Sequence, residues 1–212
     1  MDKSIIETIK MAKIIAVLII EEKRHVRPLI ESLLEGGVNA IELTLRTKIA
    51  PEAIDIISSE YPEILCGVGT ILTPEQTLLA KESGASFGVS PGLNRRVIEA
   101  ARENNLPFFP GVSTPSDIEA ALEYDYRLLK FFPAEPMGGI PYLKSINAPY
   151  KHLGISYLPL GGVSADNLHS YLKEDIIGGV GGSWIASPKL ISDENWGQIV
   201  NNAKEAIAIT KK

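Results

Sequence analysis

Short apolar, β-prone runs alternate along the chain with segments whose apolar residues recur at helical spacing. The runs begin near Ile14, Asn39, Ile64, Ser86, Pro107, Arg127, Ile155 and Ile176, about 20 to 28 residues apart. Between the first two, Val26, Leu29, Ile30, Leu33 and Leu34 follow the i, i+3, i+4, i+7, i+8 pattern of one helix face, which stops at Gly36-Gly37. Ala50, Ala53, Ile54 and Ile57 repeat it, and Trp196, Ile199, Val200, Ala203 and Ile207 do so near the end. Thr73-Pro74-Glu75-Gln76 and Thr114-Pro115-Ser116-Asp117 read as helix starts, each with a threonine N-cap and a proline in the first turn.

Eight such units imply a parallel sheet with helical crossovers. Eight strands close into a barrel, whose usual length is about 200–250 residues. An open doubly wound sheet is the rival. It usually carries fewer strands, and Gly67-Val68-Gly69 and Gly179-Val180-Gly181 both lack the third glycine of a dinucleotide-binding turn. The reading is therefore α/β, a (β/α)8 TIM barrel forming one domain over residues 1–212. An extra N-terminal helix, roughly Ile5 to Lys13, caps its N-terminal end.

Strands of such a barrel are covered on both faces and should be almost wholly apolar. In Ala40-Ile41-Glu42-Leu43-Thr44-Leu45-Arg46, period two puts Ile41, Leu43 and Leu45 on one face and Glu42, Thr44 and Arg46 on the other. The apolar set suits the helix layer, so Glu42 and Arg46 point into the barrel mouth. They are either chemistry or an internal ion pair, since buried charges usually come paired. In Arg127-Leu128-Leu129-Lys130-Phe131-Phe132-Pro133 a lysine interrupts an apolar strand. It is either a snorkelling or Glu42-paired side chain, or a desolvated amine that attacks a carbonyl to form a Schiff base.

Gly161-Gly162 follows the seventh run, and Gly178-Gly179-Val180-Gly181-Gly182-Ser183 spans the eighth. Loops at these places hold phosphate in many barrels, glycine letting backbone N–H groups approach the oxyanion, although glycine is also the default turn residue. Gly67-Val68-Gly69-Thr70 and Ser90-Pro91-Gly92, at the ends of strands three and four, carry little signal alone. Net charge is −5 without a Lys/Arg cluster, which argues against nucleic acid or an anionic membrane as partner. The longest apolar stretch, Ile14 to Ile20, has seven residues against the ~20 of a bilayer span, and no leader cleavage pattern follows it. The single Cys66 and the scattered His25, His152 and His169 offer neither an internal disulfide nor a metal-ligand set. The expectation is a cytoplasmic protein with no metal or organic cofactor. Its residues suit Schiff-base chemistry on a small keto acid, without separating that from an isomerase on the same scaffold.

Six segments then carry a resemblance: Glu42-Leu43-Thr44-Leu45-Arg46, Gly67-Val68-Gly69-Thr70, Ser90-Pro91-Gly92-Leu93, Lys130-Phe131-Phe132-Pro133-Ala134-Glu135, Gly161-Gly162 and Gly181-Gly182-Ser183-Trp184. In that order they resemble the bacterial 2-keto-3-deoxy-6-phosphogluconate (KDPG) / 4-hydroxy-2-oxoglutarate (KHG) aldolases, from about Ile14 to the C-terminal helix. The resemblance implies a class I lyase on a (β/α)8 barrel, usually a homotrimer, working without a cofactor on a keto acid substrate, pyruvate or a sugar phosphate. It implies Lys130 as Schiff-base nucleophile and Glu42 as general acid/base. Arg46 and Thr70 would hold the pyruvyl carboxylate, with Pro91 near that end and Phe132 beside the substrate. Gly161, Gly162, Gly182 and Ser183 would line the phosphate pocket. Two positions depart from the family: Leu160 replaces the usual threonine, and Ile19 stands where some members carry an arginine. Both bear on phosphate recognition and neither on the chemistry. A phosphate-binding isomerase or epimerase, and a non-catalytic binder of sugar acids, are the alternatives.

Overall fold

The computed structural model describes residues 3–211. Nine parallel strands alternate with helices: β1 (Ile14–Leu18), β2 (Ala40–Thr44), β3 (Leu65–Gly69), β4 (Phe87–Val89), β5 (Phe108–Phe109), β6 (Gly111–Val112), β7 (Leu128–Phe131), β8 (Ser156–Pro159) and β9 (Val180–Gly182). β5 and β6 are two halves of one stave, separated by Pro110. Proline has no N–H to give a ladder, so the stave changes neighbour there. β5 pairs with β4 and β6 with β7, while the Pro110 carbonyl still accepts from Lys130 N at 3.0 Å. Pairing then runs β6-β7-β8 on one side and β5-β4-β3-β2-β1-β9 on the other. A parallel bridge between Tyr157 and Ile177 closes the ring, giving the eight staves of a (β/α)8 barrel.

The last stave begins at Val180 rather than at Ile176. Ile176 O and Gly178 N hydrogen-bond the backbone of Tyr157 on β8, whereas Val180 pairs with Ile14 on β1. The three residues between are where the chain exchanges one neighbour for the other. The remaining starts fall within one residue of the sequence reading.

The helices are α1 (Lys3–Ala12), α2 (Val26–Glu35), α3 (Ala50–Glu60), α4 (Pro74–Glu82), α5 (Arg95–Glu103), α6 (Pro115–Leu122), α7 (Gly139–Asn147), α8 (Ala165–Leu172), α9 (Pro188–Ser192) and α10 (Trp196–Ile209). Thr73 and Gln76 form a reciprocal capping box on α4, and Thr114 and Asp117 form one on α6.

Strand parity sorts the interior into two compartments. Ile14, Ala16 and Leu18, Ile41 and Leu43, and Leu129 and Phe131 pack with the helices. Ile15, Ala40, Phe87, Val89, Phe109, Leu128, Leu158 and Leu160 fill the lumen. Ile9 of α1 joins this second cluster, with Ile5, Ile6 and Ala12 packed against it. α1 therefore plugs the N-terminal end of the barrel, leaving the C-terminal end for chemistry. No helix among the described residues is long and apolar enough to cross a membrane.

Candidate active site

Glu42 lies two residues beyond the lumen residue Ala40 on β2, and Lys130 two beyond Leu128 on β7, so period two turns both side chains inward. They are 3% and 5% exposed, burial that neither charge would tolerate alone. Across the barrel the Lys130 Nζ donates to Glu42 Oε1 at 2.8 Å. Removing one member of such a pair leaves the other charged and desolvated, a loss of about 3–5 kcal/mol. Glu42 pairs with Lys130 and not with Arg46, which settles the two ion pairs the strand patterns left open.

Glycines make room for these groups. A Cβ at Gly69 would lie 2.1 Å from Glu42 Oε1, and one at Gly67 2.1 Å from the Phe87 ring. Both glycines sit at lumen parity on β3, so the Gly67-Val68-Gly69 segment is a spacer between large neighbours rather than only a turn. The Phe132 ring centre lies 5.5 Å from Lys130 Nζ, and one edge of the ring rests on Gly161, where a Cβ would come within 3.2 Å.

At the rim, Thr70 follows β3 with φ of 61°, a conformation that a β-branched residue rarely adopts and that costs on the order of 1–3 kcal/mol. This turn brings its hydroxyl to the Arg46 Nε, 3.2 Å away, and the exposed guanidinium stands over the mouth. Pro91 closes the neighbouring β4, its carbonyl so near Gly111 that a Cβ there would lie 2.2 Å away, and Gly111 is the β6 partner of Lys130. Gly161 and Gly162 follow β8 with φ of 92° and 84°, values that glycine adopts without strain. Gly182 ends β9 beneath the Trp184 ring, and Ser183 is exposed immediately after it.

All ten residues singled out from the sequence thus lie inside or just past the C-terminal ends of strands. Contacts join Glu42, Lys130, Phe132 and Gly161 into one group and Arg46 with Thr70 into a second. Sequence reasoning put Thr44 on the inward face but gave it no part; its buried hydroxyl donates to Leu18 O at 3.1 Å and ties β2 to β1 beside Glu42. It also left aside Trp184 as a site residue, although the indole Nε1 is buried with no hydrogen-bond partner among the described residues. A cleft of about 620 Å³ lies beside the β8 exit, lined by Glu135, Gly139 and Asn167. Another of about 490 Å³ opens between Arg102, Asn105, Tyr124 and Asp125, at the plugged end of the barrel. A buried amine against a carboxylate is the better guide to chemistry than cavity size. Among the described residues no three His, Cys, Asp or Glu side chains are grouped to hold a metal ion.

A (β/α)8 barrel with a lysine held against a carboxylate at its C-terminal mouth suits a carbon–carbon lyase, and the comparisons with known proteins place it in that class. The profile of the KDPG and KHG aldolase family matches residues 5–202. A 2-dehydro-3-deoxy-phosphogluconate aldolase of Haemophilus influenzae is 39% identical over 209 residues, which cover 99% of this chain and 98% of that protein. Among solved structures, the KDPG aldolase of Legionella pneumophila, with pyruvate captured as a covalent carbinolamine, superposes with a TM-score of 0.90 at 34% identity, covering 95% of this chain and 97% of that one. The 2-keto-3-deoxy-6-phosphogluconate aldolase of Zymomonas mobilis with 3-phosphoglycerate gives 0.87 at 35% identity, covering 96% and 95%. The chain belongs to the KDPG and KHG aldolase family. Membership decides among the lyase, isomerase and binder readings in favour of the lyase.

Proposed function

We propose that Lys130 is the nucleophile through which this class I aldolase reversibly cleaves 2-keto-4-hydroxy acids. The observation that carries the reading is the buried Lys130–Glu42 pair at the open end of the lumen. The Lys130 amine, having passed a proton to Glu42, attacks the C2 ketone and forms a carbinolamine. Glu42 returns a proton to the departing hydroxyl, and water leaves to give an iminium. The iminium draws electrons from the C3–C4 bond as Glu42 takes the C4-hydroxyl proton, so an aldehyde departs and an enamine remains. Protonation at C3 and hydrolysis of the imine release pyruvate and restore the amine. 2-Keto-3-deoxy-6-phosphogluconate gives glyceraldehyde 3-phosphate, and 4-hydroxy-2-oxoglutarate gives glyoxylate.

Arg46 holds the substrate carboxylate through its planar fork, with the Thr70 hydroxyl beside it, and this fixes C2 against the amine. Pro91 lies at the pyruvyl end and Phe132 forms the apolar wall beside the substrate. Gly161 and Gly162, with Gly182 and Ser183 on the adjoining stave, receive the phosphate through backbone N–H groups and the serine hydroxyl. The carbinolamine of the Legionella relative and the phosphorylated ligand of the Zymomonas relative support these two ends of the site. Leu160 packs against Gly181 inside the lumen and adds no hydroxyl near the phosphate loop.

The chain is further read as one barrel domain working as a cytoplasmic homotrimer in sugar-acid breakdown by the Entner–Doudoroff route. The exposed Leu72, Leu78 and Leu79 around α4 supply apolar surface for such an assembly. Sedimentation equilibrium giving three times the chain mass supports the trimer, and a monomer mass contradicts it. For the activity, wild-type protein is expected to release pyruvate from both substrates. A folded Lys130→Ala variant releases none. Rearrangement of either substrate without pyruvate release would overturn the reading.

A further inference from the structure

The Lys130–Glu135 segment holds a carboxylate that the imine chemistry does not use. Past the ends of β7 and β8 the two exits stay tied: Ala134 N donates to Leu160 O at 2.7 Å and Glu135 N to Gly161 O at 3.0 Å. The Glu135 side chain then runs directly beneath Gly162, where an added Cβ would lie 2.5 Å from Glu135 Cβ. Its carboxylate accepts a hydrogen bond from the Tyr171 hydroxyl. Tyr171 belongs to α8, the helix entered through this same loop, and is 1% exposed. On the other side of the loop, Asn167 Nδ2 donates to Gly162 O at 3.3 Å, and Asn167 Oδ1 accepts from Ser164 N at 2.8 Å.

We infer that the Tyr171–Glu135 hydrogen bond is a clamp that positions the Gly161–Gly162 backbone for the phosphorylated end of the substrate. This rests on the reading of that loop as the anion site. Two consecutive glycines at positive φ do not hold a shape unaided, because glycine is free to leave it at little cost. The backbone bonds from Ala134 and Glu135 fix the loop on the barrel side, Asn167 fixes it on the helix side, and the Glu135 side chain is the floor between them. Tyr171 anchors the end of that floor. It also keeps an anionic group turned away from the place where a phosphate would arrive, where like charge would repel it. Tyr171 and Glu135 are positioning residues.

The test uses the full-length enzyme and two substrates that differ in phosphate, 2-keto-3-deoxy-6-phosphogluconate and 4-hydroxy-2-oxoglutarate. Tyr171→Phe and Glu135→Ala are each expected to raise KM for the phosphorylated substrate about fivefold, the usual worth of one hydrogen bond. kcat for both substrates and KM for the other stay at the wild-type value. Glu135→Gln retains an acceptor for the tyrosine and stays near wild type. Because Glu135 is on the surface, its two variants decide the matter even if Tyr171→Phe fails to fold. Ser183→Ala is the control on the anion site itself. If Ser183→Ala raises KM for the phosphorylated substrate and the clamp variants do not, the clamp is wrong and the anion site stands. If none of them moves it, both readings fall. Equal rises for the two substrates in the clamp variants reduce the pair to general structure and overturn the inference.

Discussion

The lumen has two rungs made by the same strands, and they differ in everything but geometry. On the lower rung Ala40 of β2 and Leu128 of β7 belong to an apolar cluster that also holds Phe87, Phe109 and Leu158 of the other strands and is backed by Ile9 of α1. One repeat higher, the same strands present Glu42 and Lys130, joined at 2.8 Å and almost fully buried. β8 carries leucine at both lumen positions, Leu158 in register with Lys130 and Leu160 beyond it. A parallel barrel so divided keeps its stability and its chemistry two residues apart. The apolar cluster can be costly to change without touching turnover, whereas a change on the upper rung removes a reacting group and, where it breaks the ion pair, stability as well.

The largest effect expected is on the upper rung. Glu42→Gln keeps the size of the side chain and removes the proton carrier, so kcat for pyruvate release should fall about 10²–10⁴-fold, the range of a general acid/base. Steady-state assay of the purified variant checks it, and a fall below tenfold would remove Glu42 from proton transfer. Gly69→Ala reaches the same group indirectly. Its new Cβ would sit 2.1 Å from Glu42 Oε1 and must push the carboxylate off Lys130. Activity should drop toward the Glu42→Gln level although no reacting group has changed.

In the apolar cluster, Phe87→Ala removes a fully buried ring that packs 5.7 Å from Phe109. The expected loss is about 3–5 kcal/mol of stability by chemical denaturation, with kcat of the folded enzyme unchanged. A fall in kcat matching that of Glu42→Gln would erase the distinction between the cluster and the upper rung.

The smallest effect is a pH dependence that belongs to neither rung's chemistry. Burial pushes the Cys66 thiol from 9.0 up to about 12 and the Tyr126 phenol from 10.0 up to about 12. Burial likewise raises the phenols of Tyr157 and Tyr171, the latter helped by its bond to Glu135. These groups are neutral when protonated, and the unfolded chain gives up their protons first as pH rises. Their contribution is therefore complete below about pH 9 and is lost between there and about pH 12. Thermal melts should show Tm falling from pH 8.5 to pH 10.5, and native Cys66 should resist thiol reagents until the chain is denatured. A flat Tm, or a reactive native thiol, would contradict it.

Much of this was legible in the residue pattern. Period two on Ala40–Arg46 turned Glu42 inward, and a lysine inside an apolar strand marked Lys130. Two threonine–proline helix starts were plain for the same reason, since each signal is local. What the sequence did not carry depends on closure of the ring. Lys130 and Glu42 are 88 residues apart and meet only because β2 and β7 face one another across the lumen. The role of Gly67 and Gly69 as spacers depends on Phe87 and Glu42, which belong to other strands. The backbone of Thr70, with its positive φ, contradicts local preference and so had no sequence signal. The exchange of neighbours between Ile177 and Val180 was invisible because Ile176-Ile177 reads as the start of a strand.

The central claim is that the upper rung works through an imine on Lys130. Borohydride reduction in the presence of pyruvate, read by intact mass and peptide mapping, tests it directly. The account predicts one stable pyruvyl adduct per chain, on Lys130 and absent from Lys130→Ala. Folded wild-type protein that binds pyruvate but yields no adduct, or an adduct on another lysine, would contradict it.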